Sequence, residues 1–253
     1  MLARATLESL LKDHKLDRTL AVFPALRPTG PLEDQVIQTR HARADQCLEG
    51  GWPRGHLSEL CGSPSAGRTT LLLGALAAAT GGGELAALVD AADRFDPAPA
   101  AARGVVLERL LWVRGRVSDR RRLAHVRGDR SLTQAIRAFD LVLRAGGFAL
   151  VVLDLSGVPP RVIKGLPFTT WLRLGRVVEG SRTSALVLVD SPAARSAGGV
   201  SLELTAAPAR WRGQSPASRV FDGPSIAPRL RGFKRMSSAS EQVRRGAGGA
   251  GDR

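Results

Sequence analysis

The residues most able to do chemistry lie together in one short stretch, Gly62-Ser63-Pro64-Ser65-Ala66-Gly67-Arg68-Thr69-Thr70. Two glycines with four residues between them free the backbone to turn successive amide N–H groups inward around an anion. The apolar run Leu71-Leu72-Leu73-Gly74-Ala75-Leu76 follows directly, and a helix opening there adds its positive end to the same anion. Thr69 stands where a hydroxyl ligates magnesium, and Arg68 takes the place usually held by lysine. A second element is Phe148-Ala149-Leu150-Val151-Val152-Leu153-Asp154, an apolar run ending in a carboxylate. At the carboxyl end of a neighbouring parallel strand, Asp154 would reach that magnesium through water. The chemistry implied is the binding of ATP with Mg2+. The plainer alternative is a glycine-rich strand-to-helix turn beside a buried strand capped by aspartate.

Several elements must hold these residues in place. Short apolar runs at His56–Cys61, Leu85–Val89, Arg109–Val113, Phe148–Leu153 and Ser184–Val189 alternate with helical patterns at Thr69–Ala79, Ser131–Ala145 and Val162–Val178. Continuous apolar strands separated by helices predict an α/β fold whose mostly parallel central sheet is flanked by helices. Val200–Leu204 and Arg229–Phe233 read as later, antiparallel edge strands. Four stretches follow: an N-terminal helix and linker over 1–30, the core over 31–212, a C-terminal segment over 213–236, and a basic tail over 237–253. The tail is rich in Ser, Gly, Ala and Arg and is expected to be disordered.

Composition narrows the function classes. The 253 residues carry a formal net charge of +14, with 43% hydrophobic and 4% aromatic residues and no tyrosine. Such a basic excess favours polyanionic partners, nucleic acid or acidic protein surfaces, without locating a site. Cys47 and Cys61 lack metal-cluster spacing and are expected to be reduced and buried. The four histidines, His14, His41, His56 and His125, show no ligand spacing, which argues against a metal centre built from them. Charged residues interrupt the N-terminal leucines, and the longest apolar runs are too short for a bilayer. The expected location is cytoplasmic, with no membrane partner.

Three further segments carry a family likeness. Gly51-Trp52-Pro53-Arg54-Gly55-His56-Leu57-Ser58-Glu59-Leu60-Cys61-Gly62 resembles the entry to the RecA recombinase core. Leu88 to Pro97 is similar to the segment after its second core strand, and Ser196 to Leu204 to the end of its second DNA loop. The likeness runs from about Thr29 to Arg212. Within that superfamily, the short chain and Leu111-Trp112-Val113-Arg114 before a helix most resemble the ImuA branch. That resemblance implies an accessory role in DNA-damage-induced mutagenesis, near the nucleoid. The partners it implies are a Y-family-like polymerase, an error-prone replicative-type polymerase, RecA itself and DNA.

The resemblance also shows what is altered. Arg68 replaces the lysine, and a planar guanidinium cannot copy the placement of a compact ammonium, although it binds phosphate well. The glutamate expected to polarise water falls at Ala92. Asp93 is one residue away and would serve only if the register shifted. General-base help is typically worth 10²–10⁴-fold, so hydrolysis is expected to be feeble. Asp96 matches an acidic adenine contact, but Pro99 replaces the stacking aromatic. The switch glutamine is Ser191, behind Asp190. The first DNA loop is cut to about 156–164, with Arg161 and Lys164, and the second to 191–199, with Arg195. A working DNA-dependent ATPase or recombinase of the RecA type, with Asp93 as base, is the alternative.

Beyond the core likeness, Arg120, Arg121 and Arg122 lie in a dense basic stretch with Arg114, Arg116, Arg127 and Arg130. It reads either as a nucleic-acid or acidic-partner patch or as a solvated loop. Trp171 is expected to pack on the sheet. Trp211, flanked by Arg210 and Arg212, together with Phe221 and Phe233, is a candidate protein-docking group, since Trp and Arg are favoured at interface hot spots.

Overall fold

A computed structural model of the protein describes residues 35–115, 129–193, 199–205, 207–208, 210–223 and 225–231. The N-terminal helix, Arg120–Arg122, Arg195, Phe233 and the basic tail lie outside the described residues.

The described chain opens with β1 (Val36–Ile37), α1 (Ala42–Cys47) and β2 (Trp52–Pro53), followed by β3 (Leu57–Gly62), α2 (Arg68–Gly81) and β4 (Leu85–Asp90). Then come α3 (Pro97–Ala102), β5 (Leu110–Arg114), α4 (Asp129–Ala145), β6 (Phe148–Asp154), α5 (Pro160–Lys164), α6 (Phe168–Val178) and β7 (Ser184–Val189). The last strands are β8 (Ser201–Thr205), β9 (Arg210–Arg212), β10 (Val220–Gly223) and β11 (Ala227–Leu230). Seven of them form the main sheet in the order β11-β8-β3-β7-β6-β4-β5. Every neighbouring pair in it is parallel except β8 and β11. The antiparallel edge read from the sequence is thus the β8–β11 pair, while β8 itself runs parallel to β3.

The parallel strands are apolar at nearly every position because helices cover both faces. One face buries Leu60, Leu88, Leu150, Leu186 and Leu202 under α2 and its neighbours. The other buries Leu57, Val89, Val151 and Val187 with Phe139 of α4 and Trp171 of α6. Trp171 packs as expected. Alternation along each strand assigns these two sets, since successive side chains point to opposite faces.

Three local features differ from the sequence reading. The expected helix over 162–178 is two helices, broken at Gly165-Leu166-Pro167, because a proline ring is tolerated only at a helix start. Two short helices were not anticipated, α1, capped by His41, and α3, capped by Asp96. Their six residues each are too few to show a hydrophobic period. The segment after 212 also contributes to the sheet through β11, and Ile226 is a core residue at 3% exposure.

Helix α2 lies so close to the preceding chain that a Cβ on Gly74 would collide with the Thr39 carbonyl oxygen. Gly74→Ala should therefore destabilise the fold by about 1–3 kcal/mol, the usual range for overpacking. Urea denaturation reads the change, and an unaltered midpoint would contradict this packing.

Candidate functional site

The site forms where β3 ends and α2 begins. Gly62 closes the strand so tightly that a Cβ there would sit 2.6 Å from the Leu204 carbonyl oxygen. Ser65 takes a left-handed φ of 65° and Gly67 one of 102°. Gly67 is the N-cap of α2, and a Cβ on it would come within 2.7 Å of Ile226 Cγ1. Left-handed residues in such a turn aim backbone N–H groups into one concavity, the geometry that binds anions at a helix start.

That concavity opens onto a cleft of about 270 Å³. Pro64, Ser65, Arg68 and Thr69 line it from the loop, Asp96 and Pro99 from the start of α3, and Asp154 and Ser156 from the end of β6. Residues picked from three distant parts of the sequence are brought together, as the strand order requires. In open parallel sheets, ligands bind outside the carboxyl ends of the strands. Asp96 meets the cleft while its Oδ1 also accepts the Ala98 N–H at 3.0 Å. Part of its acceptor capacity is therefore spent on capping α3.

The loop cation is paired. Arg68 is only 9% exposed, and both of its terminal nitrogens have partners outside the loop. One donates to Ser156 Oγ at 3.0 Å, and the other meets Asp190 Oδ1 at 2.6 Å. The second oxygen of Asp190 accepts the Gly157 N–H at 3.0 Å. Asp190 thus ties the phosphate loop to the turn after β6. Ser191, in the switch position, has its hydroxyl buried without a hydrogen-bond partner.

Asp154 is partly exposed as a residue, but its carboxyl is withdrawn from water. Its pKa is raised, first by that desolvation and then by the nearby Asp90 charge. Hydrogen bonds from Ser156 and the Arg68 charge pull the other way. Asp90 lies opposite Asp154 in the β4–β6 register and is 1% exposed. Its Oδ2 accepts the Phe95 N–H at 2.8 Å, and its Oδ1 is buried without a hydrogen-bond partner. The donor set fits a phosphate with magnesium: inward amides, the Thr69 hydroxyl, and the Asp154 carboxylate beside a second, under-satisfied carboxylate.

The water-activating position is different. Ala92 is buried at 5% exposure. Asp93 adopts a left-handed φ of 52°, which aspartate tolerates better than most residues. Both of its oxygens are held by Arg114, at 2.9 and 3.2 Å. Arg114 in turn lies 4.4 Å over the Trp112 ring. Asp93 therefore sits in a bidentate ion pair and is not among the residues that line the cleft.

The remaining candidates scatter. Arg161 and Lys164 are exposed on α5. Trp211 is 55% exposed on the β9–β10 hairpin, opposite Phe221 in register. Cys61 is buried, and desolvation, then the Glu59 charge, pushes its thiol up to about 12, so it stays an inert thiol. Among the described residues no group of His, Cys, Asp or Glu has metal-cluster geometry, and no helix is long and apolar enough to cross a membrane. The sequence reading did not assign Asp190, Ser156, Asp90 or Ile226 to the site. An acid at the end of a core strand, in a chain whose loop cation is arginine, was the one available signal for Asp190.

Comparison with known proteins gives a consistent picture. A family model described as the RecA N-terminal domain matches residues 32–162. The RecA protein of Chlorobaculum tepidum is 37% identical over 121 residues, 47% of this chain and 31% of that protein. The RecA protein of Thermus aquaticus is 32% identical over 165 residues, 64% of this chain and 44% of that one. The matches thus span less than half the length of these relatives. A crystal structure of the RadB recombinase aligns with 68% of this chain and 84% of its own, at 18% identity and a TM-score of 0.46.

The raised pKa of Asp154 has a consequence for stability. Folding favours its protonated form, so its contribution is fully present below the ordinary carboxyl pKa and is lost as pH rises through the folded value. Asp154→Asn, which keeps the shape without the charge, should be more stable than the parent at neutral pH and equal to it in acid. Urea midpoints across that range test this. A parent more stable than the variant at neutral pH would count against the burial argument.

Proposed function

The chain belongs to the family of the RecA N-terminal domain, and from that premise we propose that it is a nucleotide-binding, non-recombinogenic accessory protein of DNA-damage tolerance. In this reading it binds ATP with Mg2+ weakly through Gly62–Thr70, Asp96 and Asp154, and scaffolds a translesion polymerase complex. One observation carries the proposal. The cleft assembles a phosphate cradle with a magnesium-side carboxylate, while the position that should hold the water-orienting glutamate is the buried methyl of Ala92. Its acidic neighbour Asp93 is engaged by Arg114. Without a carboxylate facing the attacking water, general-base assistance is lost, and binding outlasts turnover.

When bound, the magnesium would neutralise phosphate charge. The chain's own share is to orient the phosphates with loop amides, to position Thr69 and Asp154 beside them, and to bring Asp96 to the base end. The ImuA-like role, with a Y-family-like polymerase, an error-prone replicative-type polymerase and RecA as partners, extends the family relationship by the sequence resemblance. The same holds for a cytoplasmic, nucleoid-associated location. DNA contact is proposed through Arg161 and Lys164 on α5, with Arg120–Arg122 and Arg195. Trp211 supports a docking role because a large, half-exposed aromatic between arginines suits an interface anchor.

Two measurements test the reading. Phosphate release from ATP should stay at background with or without single-stranded DNA, while DNA retention should fall steeply as salt rises, as phosphate contacts require. DNA-stimulated turnover would favour the alternative, an active RecA-type ATPase. For docking, Trp211→Ala should weaken capture of the polymerase partners by at least about tenfold, the loss expected on truncating an anchor. Removal of everything from Arg210 onward is a poorer probe, because it would strip β11 and Ile226 from the core. Undiminished capture by Trp211→Ala would end the docking proposal.

A further inference from the structure

We infer that Asp190 is a positioning residue that withholds Arg68 from phosphate, and so couples the phosphate loop to the turn after β6; this rests on the nucleotide reading above. The geometry of one side chain carries this. Arg68 occupies the phosphate-loop cation position, yet both terminal nitrogens of its guanidinium already have protein partners, Ser156 Oγ (3.0 Å) and Asp190 Oδ1 (2.6 Å). Lysine in this position delivers a point charge to the outer phosphates. Here that charge is already neutralised by a carboxylate at the end of the adjacent strand β7.

The pair is sheltered, at 9% exposure for the Arg68 side chain and 23% for Asp190. Solvent therefore screens it less than a surface pair. Arginine suits this double engagement, because its planar guanidinium presents two terminal nitrogens, one donating to Ser156 and the other in an ion pair with Asp190. Asp190 is also fixed from its far side by the Gly157 N–H at 3.0 Å. If Arg68 swung toward a phosphate, Asp190 would keep a single backbone donor and lose its counter-charge. Removing one partner of a sheltered pair leaves an uncompensated charge, which is costly. Nucleotide must therefore compete with Asp190 for the contribution of Arg68, and that contribution, added to what the loop amides supply, is reduced to the fraction of molecules in which Arg68 is released.

The same bonds define the coupling. Ser156 and Gly157 begin the turn that leads into α5, which carries Arg161 and Lys164. Capture of Arg68 by phosphate would remove the donor from Ser156 and the cation from Asp190. The turn would then be held by its backbone bonds, among them Gly157 N–H to Asp190 and Ser156 N–H to Asp154.

The test is titration of the full chain with a fluorescent ATP analogue, with unlabelled ATP as competitor. Asp190→Asn keeps the side-chain shape and removes the charge. It should tighten binding by about tenfold, the gain expected when a released cation adds a charge-assisted contact to phosphate. A double-mutant cycle separates this from a general structural effect. Arg68→Ala should alter the parent's affinity by less than about threefold, yet should abolish the gain when combined with Asp190→Asn. Asp190→Glu, which retains the charge, should bind as weakly as the parent. Ser156→Ala removes the other acceptor while keeping the backbone bond to Asp154, and should tighten binding about threefold if Asp190→Asn proves unstable. Unchanged or weaker binding by both Asp190→Asn and Ser156→Ala, in a parent that does bind ATP, would overturn the inference alone. Absence of ATP binding in the parent and in every variant would overturn the nucleotide reading with it.

Discussion

The site depends on one backbone constraint: the chain must reverse from β3 into α2 while keeping its amides turned inward. Gly67 meets it with a φ of 102° at a point where a Cβ would press on Ile226. Gly62 meets it where a Cβ would press on the Leu204 carbonyl. The loop is thus clamped from outside by β8 and by the residue leading into β11. An anion cradle needs its donors fixed before the anion arrives, since ordering them afterward would consume binding energy. The C-terminal part of the described chain therefore supports the oldest-looking feature of the sequence.

Around this cradle the electrostatics are unusually acidic for so basic a protein. Asp90, Asp154 and Asp190 stand at the ends of three core strands; Arg68 pairs with Asp190 and its charge also acts on Asp154. The formal net charge of +14 therefore says little about this cleft. Among the described residues, arginines such as Arg43, Arg103 and Arg173 are exposed and contribute to that charge. The distinction matters because nucleotide affinity is set by the few sheltered charges, whereas contact with a polyanion is set by the many exposed ones.

The departures from the RecA pattern are also physically connected. A residue that replaced the water-orienting glutamate with a methyl would by itself leave a void in charge and shape. Here Ala92 is absorbed into the apolar core, and the neighbouring Asp93 turns to Arg114, itself stacked on Trp112. The region has been rebuilt as packing. The loop cation and the end of β7 are likewise joined, since Arg68 and Asp190 are each other's partner.

Much of this was legible in the chain itself. Continuous apolar strands alternating with helical periods determined the α/β class, because only a sheet covered on both faces needs them. The glycine spacing determined the tight turn from β3 into α2, because few other residues tolerate its backbone angles. What the sequence could not determine were relations between side chains far apart in it. Arg68 and Asp190 are separated by more than a hundred residues, and only the pairing of β3 with β7 brings their ends together. Ile226 bears on Gly67 because β11 returns along β8. The six-residue helices escaped notice because they end before a hydrophobic period can repeat. Local rules act over a turn or a strand, whereas the partners that set the charge of Arg68 are chosen by strand order, which is settled only when the whole sheet assembles.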